Sequence, residues 1–196
     1  MICTAPLNLS ALQSPNRIVM VPEGVPSWGK EPEQWPRAYA HFDLPMPTET
    51  VRLTRRRRRE NPPYFNAGMV MFPEKPPPGQ SHGFGSLWLE TALHFDWHCA
   101  MRNKRPWLDQ ITLPLTVKRF GYDYLAAKAE LNFSISDRAY EPQAQPALIH
   151  YHRWKYLAAW PQSRAAFAAL EKLAGPALAA RLEADYGAIL AEGRAV

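Results

Sequence analysis

The strongest constraint on the fold is an apolar segment that prolines close at both ends. Residues 64–72 read YFNAGMVMF, a run of aromatic and aliphatic side chains of the length of one strand. Pro62 and Pro63 stand before it and Pro73 follows it. Because proline has no backbone N–H, neither flank continues a sheet ladder. The sequence therefore predicts a short strand here, between irregular segments.

Strands and helices alternate along the rest of the chain, which indicates the α/β class. Short aliphatic runs bounded by turn residues predict three more strands, at residues 17–22, 131–135 and 147–151. Helical spacing, proline starts and alanine-rich sequence predict helices near residues 33–42, 86–101, 107–120 and 161–195. We expect Pro114 to kink or split the third of these helices, and Gly175-Pro176 to break the last one.

The composition is that of an ordered globular protein with unusually long loops. The chain has 196 residues, of which 46% are hydrophobic, and twenty are prolines, about double the usual share of roughly 5%. No apolar run approaches the ~18 residues of a membrane span, and no secretory signal is visible. Cys3 and Cys99 are too few for a disulfide framework. We therefore expect one soluble, cytoplasmic protein without a transmembrane segment.

The basic charge of the chain is local. The net charge is +5, and five arginines stand together at residues 55–59, so that the rest of the chain is neutral. Such a run suits a loop that grips phosphates, or a loop that is only solvated. No aromatic residues are interleaved with the arginines, which disfavours nucleic acid as a partner. A non-catalytic module that binds an anionic partner through the Arg55–Arg59 loop is the alternative function.

Two histidines at helical spacing suggest a metal site at first sight. His94 and His98 lie at i and i+4, as in zinc enzymes, but Phe95 stands where a zincin has its glutamate, and Asp96 points off that face. A polar helix face is the favoured interpretation. A hydrolase built on His94, Asp96 and His98 is the least favoured function. No Gly-x-Gly-x-x-Gly or Walker loop occurs in the chain.

The predicted strand at residues 64–72 carries an unusual polar step, Asn66-Ala67-Gly68. A small residue followed by glycine lets a ligand approach the backbone closely, and the Asn66 amide offers both a donor and an acceptor. The alternative is a β-bulge in a core strand.

This step is the first of three short motifs in a fixed order. The second is Asp109-Gln110, near the start of a predicted helix, and the third is His150-Tyr151, followed by Lys155. The triplet resembles the C-terminal half of GT-A-type glycosyltransferases, those related to glycogenin and to the bacterial lipopolysaccharide galactosyltransferases. The resemblance covers residues 1–160 and leaves residues 161–196 as a helical tail. It implies a partial GT-A-like mixed sheet with flanking helices.

The resemblance also bears on the start of the chain. In this family an Asp-x-Asp metal motif is followed by an apolar stretch, a proline and a Leu-x-x-Leu segment, and residues 1–12 resemble that following stretch. The resemblance thus implies that the Asp-x-Asp motif and the nucleotide-binding half would precede Met1. On that expectation this chain does not transfer sugar unaided.

The resemblance implies a nucleoside diphosphate sugar as donor, an acceptor, and Mn²⁺ or Mg²⁺ as cofactor, in a retaining hexosyl transfer. It implies catalytic roles for Gln110 and Asp109, with donor-sugar contacts from Asp109 and from Asn66, Ala67 and Gly68. His150 matches a metal ligand, and Lys155 approximates a diphosphate-binding lysine.

Near the histidine the sequence departs from the family pattern. The glycine that usually follows is absent, and Tyr156 stands where proline would be, so Arg153 could take the phosphate role of Lys155. A strand-end histidine satisfied by backbone remains the alternative for His150. A helix N-terminal charge is the alternative for Asp109. The donor, the acceptor and the oligomeric state are left open.

Overall fold

The computed structural model describes residues 1–55, 59–76 and 79–194. The chain divides into two compact units. The central unit is Asn8–Lys128, and the terminal unit joins Met1–Leu7 to the chain from Ala129 onward. The α/β class predicted from the sequence is confirmed, since both units combine short strands with helices. The predicted division into residues 1–160 and 161–196 stays a prediction.

Within the described residues the strands are β1 (Ile2–Cys3), β2 (Arg17–Pro22), β3 (Val51–Arg52), β4 (Glu60–Asn61), β5 (Phe65–Met71), β6 (Asp123–Ala126), β7 (Phe133–Ser134) and β8 (Leu148–His150). The α-helices in the same ranges are α1 (Gln34–Ala40), α2 (Phe84–His98), α3 (Leu108–Arg119) and α4 (Pro161–Arg194). Short 3₁₀ turns connect several of them.

The central unit is built on a mixed sheet in the order β5-β2-β6. The middle strand, β2, runs antiparallel to β5 and parallel to β6. Its residues from Ile18 to Val21 are at most 1% exposed, because α2 and α3 supply apolar side chains to the same core cluster, among them Phe84, Leu113 and Val117. The aliphatic run that predicted this strand is thus the hydrophobic centre of the unit.

A second core cluster of the central unit is aromatic. The Trp35 ring lies 4.9 Å from Trp28 and 5.4 Å from Tyr64, both in edge-on geometry, which the quadrupoles of aromatic rings favour. Gly29 has φ 71° and a built Cβ there would lie 2.1 Å from Trp35 Nε1, so only glycine fits beside the indole. This cluster holds Tyr64, the residue before β5, in a fixed position.

The helices follow the predicted positions with one difference. Pro114 lies inside α3, which continues through it to Arg119 instead of being split. Pro114 and its neighbours Leu113 and Leu115 are buried, and this packing offsets the hydrogen bond that proline cannot donate. The predicted break at Gly175 is confirmed, since Gly175 has φ 70° and interrupts the helical geometry of α4.

The terminal unit has its own small sheet, in the order β1-β8-β7. β1 pairs antiparallel with β8 through Ile2 and Ile149, and β7 runs parallel to β8. A compact cluster that includes Phe133, Leu157 and Trp160 forms its core. No helix in residues 1–55, 59–76 and 79–194 is long and apolar enough to cross a membrane.

Candidate functional site

The Asn66-Ala67-Gly68 step forms a bulge in β5. Met20 of β2 pairs with Val70, but the next residue, Val21, pairs with Asn66, so residues 67–69 have no partner on β2. The Asn66 side chain closes this bulge, since its Oδ1 accepts a hydrogen bond from the Gly68 N–H at 2.9 Å. The bulge predicted as one alternative is therefore present, and the polar step re-aims the strand at this point.

A buried carboxylate at the end of β2 completes this arrangement. Glu23 follows Pro22 directly and is 7% exposed. Its Oε2 accepts a hydrogen bond from Asn66 Nδ2 at 2.9 Å, and its Oε1 accepts one from the Gly24 N–H at 2.6 Å. These bonds offset the cost of burying the carboxylate. Ligands of open α/β sheets bind at the carboxyl ends of parallel strands, and Glu23 stands at that end of β2.

Gln110 is held by the same region of β5. The Tyr64 hydroxyl donates a hydrogen bond to Gln110 Oε1 at 2.8 Å. Burial, and next the charge of Glu23, raise the pKa of Tyr64 far above its ordinary value, so the hydroxyl remains a donor at all physiological pH values. The contact fixes the side-chain amide of Gln110 near the start of α3. One hydrogen bond thus links Gln110, in the second motif, to Tyr64, two residues before the first motif.

Asp109 lies beside Gln110 in the first turn of α3 and is exposed. Its Oδ1 accepts a hydrogen bond from the Gln110 N–H at 2.8 Å, and the Trp88 indole donates to its backbone oxygen at 3.2 Å. Trp88, Arg105 and Asp109 line an open groove of about 560 Å³ between α2 and the start of α3. We call it the Asp109 groove.

The remaining predicted residues belong to the terminal unit. His150 ends β8, and its Nδ1 lies 3.0 Å from Asn132 Oδ1. Because an amide oxygen only accepts, Nδ1 carries the proton and Nε2 keeps its lone pair. Burial, with a smaller effect of His152, lowers the pKa of His150 to about 4, so its ring is neutral at pH 7. The partner of the His150 ring is thus the side chain of Asn132.

Arg153 and Lys155 follow on the surface of the terminal unit. Both side chains are exposed, and the Lys155 ammonium lies 5.2 Å from the centre of the Tyr156 ring. The Tyr156 hydroxyl donates to Asp137 Oδ1 at 2.8 Å, which holds this ring in place. The predicted diphosphate residues are therefore solvent-accessible cations close to His150 in sequence.

The described residues place few side chains together that could bind a metal ion. No group of three or more His, Cys, Asp or Glu side chains is placed there to hold a metal ion. His94 lies 4.8 Å from His98 and 5.2 Å from His41, measured between ring centres, and Asp96 pairs instead with Arg105 at 3.1 Å. The His150 ring lies 4.9 Å from that of His152, measured between ring centres, and among the described residues no third side chain of these types joins the pair. The described residues do not by themselves complete a divalent-cation site.

The arginine run occupies the loop between β3 and β4, which pair antiparallel. Residues 56–58 of the run lie outside the described residues. At its start, the Arg55 N–H donates to the Gly24 oxygen at 3.0 Å. A Cβ built on Gly24 would lie 2.8 Å from the Arg55 side chain, so glycine here allows Arg55 to pack on the backbone next to Glu23. The first arginine thus adjoins the buried carboxylate.

Sequence reasoning missed Glu23, Tyr64 and Trp88 as members of this region. The signal for Glu23 was present in Val21-Pro22-Glu23-Gly24, a carboxylate between a buried strand and a glycine. Its partner Asn66 is 43 positions away, so no local spacing motif marks the pair.

A family model described as Rhodobacterales glycosyltransferase domain matches residues 1–121 of the chain. The matched span includes Glu23, Asn66, Asp109 and Gln110 and ends before His150. No curated protein and no solved structure matches the chain.

Proposed function

Because the chain belongs to the Rhodobacterales glycosyltransferase domain family, we propose that it supplies the donor-sugar site for transfer of a hexosyl group from a nucleoside diphosphate sugar to an acceptor, with retention of configuration. The observation that carries the proposal is the position of the predicted sugar-binding residues. Asp109 and Gln110 lie together at the start of α3, within the matched span, and Tyr64 links them to the bulge of β5.

The Asp109 groove suits a donor sugar. An exposed carboxylate accepts charge-assisted hydrogen bonds from sugar hydroxyls, and the Arg105 guanidinium donates to their oxygens. The Trp88 indole offers an apolar face for the C–H side of a sugar ring. Its position is fixed, because it donates to the Asp109 backbone oxygen and to Thr112 Oγ1.

Gln110 has a positioning role in this proposal. A neutral amide is a poor nucleophile. The Gln110 amide is held by Tyr64, and its dipole stabilises the positive charge that develops at the anomeric carbon. The half-buried backbone of Ala67 and Gly68, which has no partner on β2, offers further main-chain groups to a sugar hydroxyl in this proposal.

The departing diphosphate needs positive charge, since its oxygens gain negative charge as the glycosidic bond breaks. Arg153 and Lys155, predicted for this role, are exposed cations of the terminal unit, and their role as diphosphate-binding residues stays a prediction. A bound Mn²⁺ or Mg²⁺ would add Lewis-acid stabilisation of the same oxygens. His150, neutral and with Nε2 unprotonated, offers one ligand, and the described residues supply no complete set, so no step is assigned to the ion.

Calorimetric titration with UDP-glucose, UDP-galactose and GDP-mannose, with Mn²⁺ and with EDTA, tests the proposal. We expect one of these donors to bind, and Asp109→Asn to weaken it at least tenfold, because a charge-assisted hydrogen bond is lost. Asp43→Asn is the matched control, since Asp43 is exposed and has φ 54°, a conformation that asparagine accepts. Absence of binding for all three donors, or equal loss in both variants, would contradict the proposal.

A second candidate function rests on the arginine loop. Arg55 and Arg59 hold the ends of a basic loop on the β3–β4 hairpin, an arrangement that suits an anionic polymer. Replacing residues 56–59 by glutamine is expected to abolish retention on heparin while donor binding persists. If heparin binding is lost and no nucleotide sugar binds the parent protein, the binding module is the better description.

A further inference from the structure

The solvent-facing side of α2 carries a row of apolar side chains. Leu89, Leu93 and Trp97 follow one another at intervals of four residues, so they lie in one row along the helix. They are 61%, 51% and 78% exposed. Phe72 is also exposed and lies at the end of this row, since a Cβ built on Gly85, one turn before Leu89, would be 3.7 Å from its ring. We call these four side chains the outer stripe of α2.

The clustering of these side chains is unusual for a protein surface. Among the described residues of the central unit, the exposed large apolar side chains are the four of the outer stripe and Leu9. The opposite face of α2 is apolar as well, because Phe84, Leu87 and Phe95 are buried in the core. Apolar residues on both faces are typical of a helix that is covered on both faces. The outer stripe thus has the character of an interaction surface.

The charges beside the outer stripe allow it to be covered. Asp96 pairs with Arg105 at 3.1 Å, and Glu90 pairs with Arg119 at 3.0 Å. Both carboxylates therefore keep a cation beside them when apolar atoms displace water from the stripe. Covering the stripe gains apolar burial and leaves neither carboxylate unpaired.

The spacing of the stripe fits a second copy of this chain. Leu89 and Trp97 are equally distant from Leu93 in sequence, four residues on either side. When two copies of α2 run antiparallel about a two-fold axis at Leu93, the two Leu93 side chains meet, and Trp97 of each copy meets Leu89 of the other. The same patch then serves both subunits, as an isologous contact requires.

The two ends of the stripe carry complementary charges. Arg102 is exposed beyond the C-terminal end of α2, and Glu74 is exposed beside the N-terminal end, where its backbone oxygen would lie 3.4 Å from a Cβ built on Gly83. Neither side chain takes part in an ion pair between described residues. Antiparallel helices bring Arg102 of one copy toward Glu74 of the other. One charge of each sign does not attract an anionic membrane, so these charges favour a second copy.

We propose that a second copy of this chain covers the outer stripe, with the two α2 helices antiparallel about Leu93. A helix of 15 residues is about 22 Å long, and one face of it buries less than the roughly 800 Å² per partner of a standard interface. The dimer is therefore one that dissociates on dilution.

One consequence of this dimer rests on the proposed function. Leu89 lines the Asp109 groove as well as the outer stripe. The partner's Trp97, placed on Leu89, then forms part of the rim of this groove and adds a second aromatic face next to Trp88. Each donor site is thus completed by the other subunit.

Sedimentation velocity of the full chain over a hundredfold range of concentration tests the proposal. We expect the mass to rise from that of the monomer to that of the dimer. Leu93→Asp places two carboxylates at the two-fold axis and is expected to weaken dimerisation about tenfold or more, while the exposed position preserves the fold. Leu173→Asp, at an 85% exposed leucine of α4, is the matched control and should leave dimerisation unchanged.

A charge exchange tests the orientation of the two helices. Arg102→Glu and Glu74→Arg are each expected to weaken the dimer about threefold, because like charges then meet at the ends of the stripe. The double variant restores opposite charges and is expected to dimerise as the parent does. A double variant that is weaker than either single variant would overturn the antiparallel arrangement.

A monomer at every concentration, or equal losses in Leu93→Asp and Leu173→Asp, would overturn the proposal. Binding of a monomeric parent to phosphatidylcholine vesicles, abolished by Leu93→Asp, would assign the stripe to a bilayer instead.

Donor titration separates this proposal from the proposed function. The donor is expected to bind at least threefold more weakly to Leu93→Asp than to the parent dimer, because Trp97 of the partner subunit leaves the groove. Equal donor affinity in the two proteins would overturn the contribution of Trp97 to the groove. A parent protein that dimerises through the stripe and binds no donor would overturn the proposed function and support the interface.

Discussion

Two carboxylates of the central unit stand in opposite surroundings. Glu23 is buried and accepts two hydrogen bonds from within the protein, whereas Asp109 is exposed at the edge of an open groove. The bonds of Glu23 hold β2 and the bulge of β5 together. Glu23 therefore stabilises the fold of the site, whereas Asp109 is available to bind a ligand. Removing each carboxylate tests its role.

The largest effect is expected from Glu23→Ala. It leaves the buried Asn66 amide N–H and the Gly24 N–H without their acceptor, and breaking a buried hydrogen-bonded charge costs about 3 kcal/mol. Urea unfolding followed by tryptophan fluorescence measures it. Glu31→Ala, at an exposed position, is the control. A loss below about 1 kcal/mol would show that Glu23 does not hold this edge of the sheet.

A smaller effect is expected from Tyr64→Phe. The change keeps the ring in the aromatic cluster and removes the hydrogen bond to Gln110, which costs about 1 kcal/mol of the free energy of unfolding. Donor affinity should fall as well, because Gln110 is no longer fixed. Tyr140→Phe changes an exposed tyrosine of the terminal unit and should alter neither quantity. Unchanged donor affinity in Tyr64→Phe would remove Gln110 from the site.

Elements whose signals lie within their own residues could be predicted from the sequence. β2 and β5 were predicted to within one residue at each end, because their apolar runs and flanking prolines are local signals. β1 was not predicted, since two residues carry no periodicity and their partner is Ile149, at the far end of the chain. Glu23 was not predicted as a site residue, because its role depends on Asn66, which is 43 positions away in the sequence.

His150 extends the comparison to the terminal unit, as a half-buried titratable group bonded to Asn132. Its pKa is about 4 in the folded protein and about 6.5 when the ring is exposed. The unfolded chain therefore takes up the proton at a higher pH than the folded protein does. Stability is therefore complete above pH 6.5 and falls as the pH is lowered toward 4, by on the order of 1 kcal/mol after solvent screening. Urea midpoints at pH 7 and pH 5, for the parent and for His150→Gln, measure it. An equal pH dependence in both proteins would assign the effect to other groups.

The smallest effect on stability is expected from Asp109→Asn, the variant with the largest effect on donor binding. Asp109 is exposed and its Oδ1 accepts from the Gln110 N–H, a bond that the asparagine amide oxygen also makes, so the change in the free energy of unfolding stays below about 0.5 kcal/mol. The same urea titration that follows Glu23→Ala measures it. Glu23→Ala should lower the free energy of unfolding, whereas Asp109→Asn should lower the affinity for the donor. Different measurements therefore report on the two variants. A large loss of stability in Asp109→Asn would mean that Asp109 supports the start of α3, and that its loss of donor binding reports on the helix instead of on a contact with sugar.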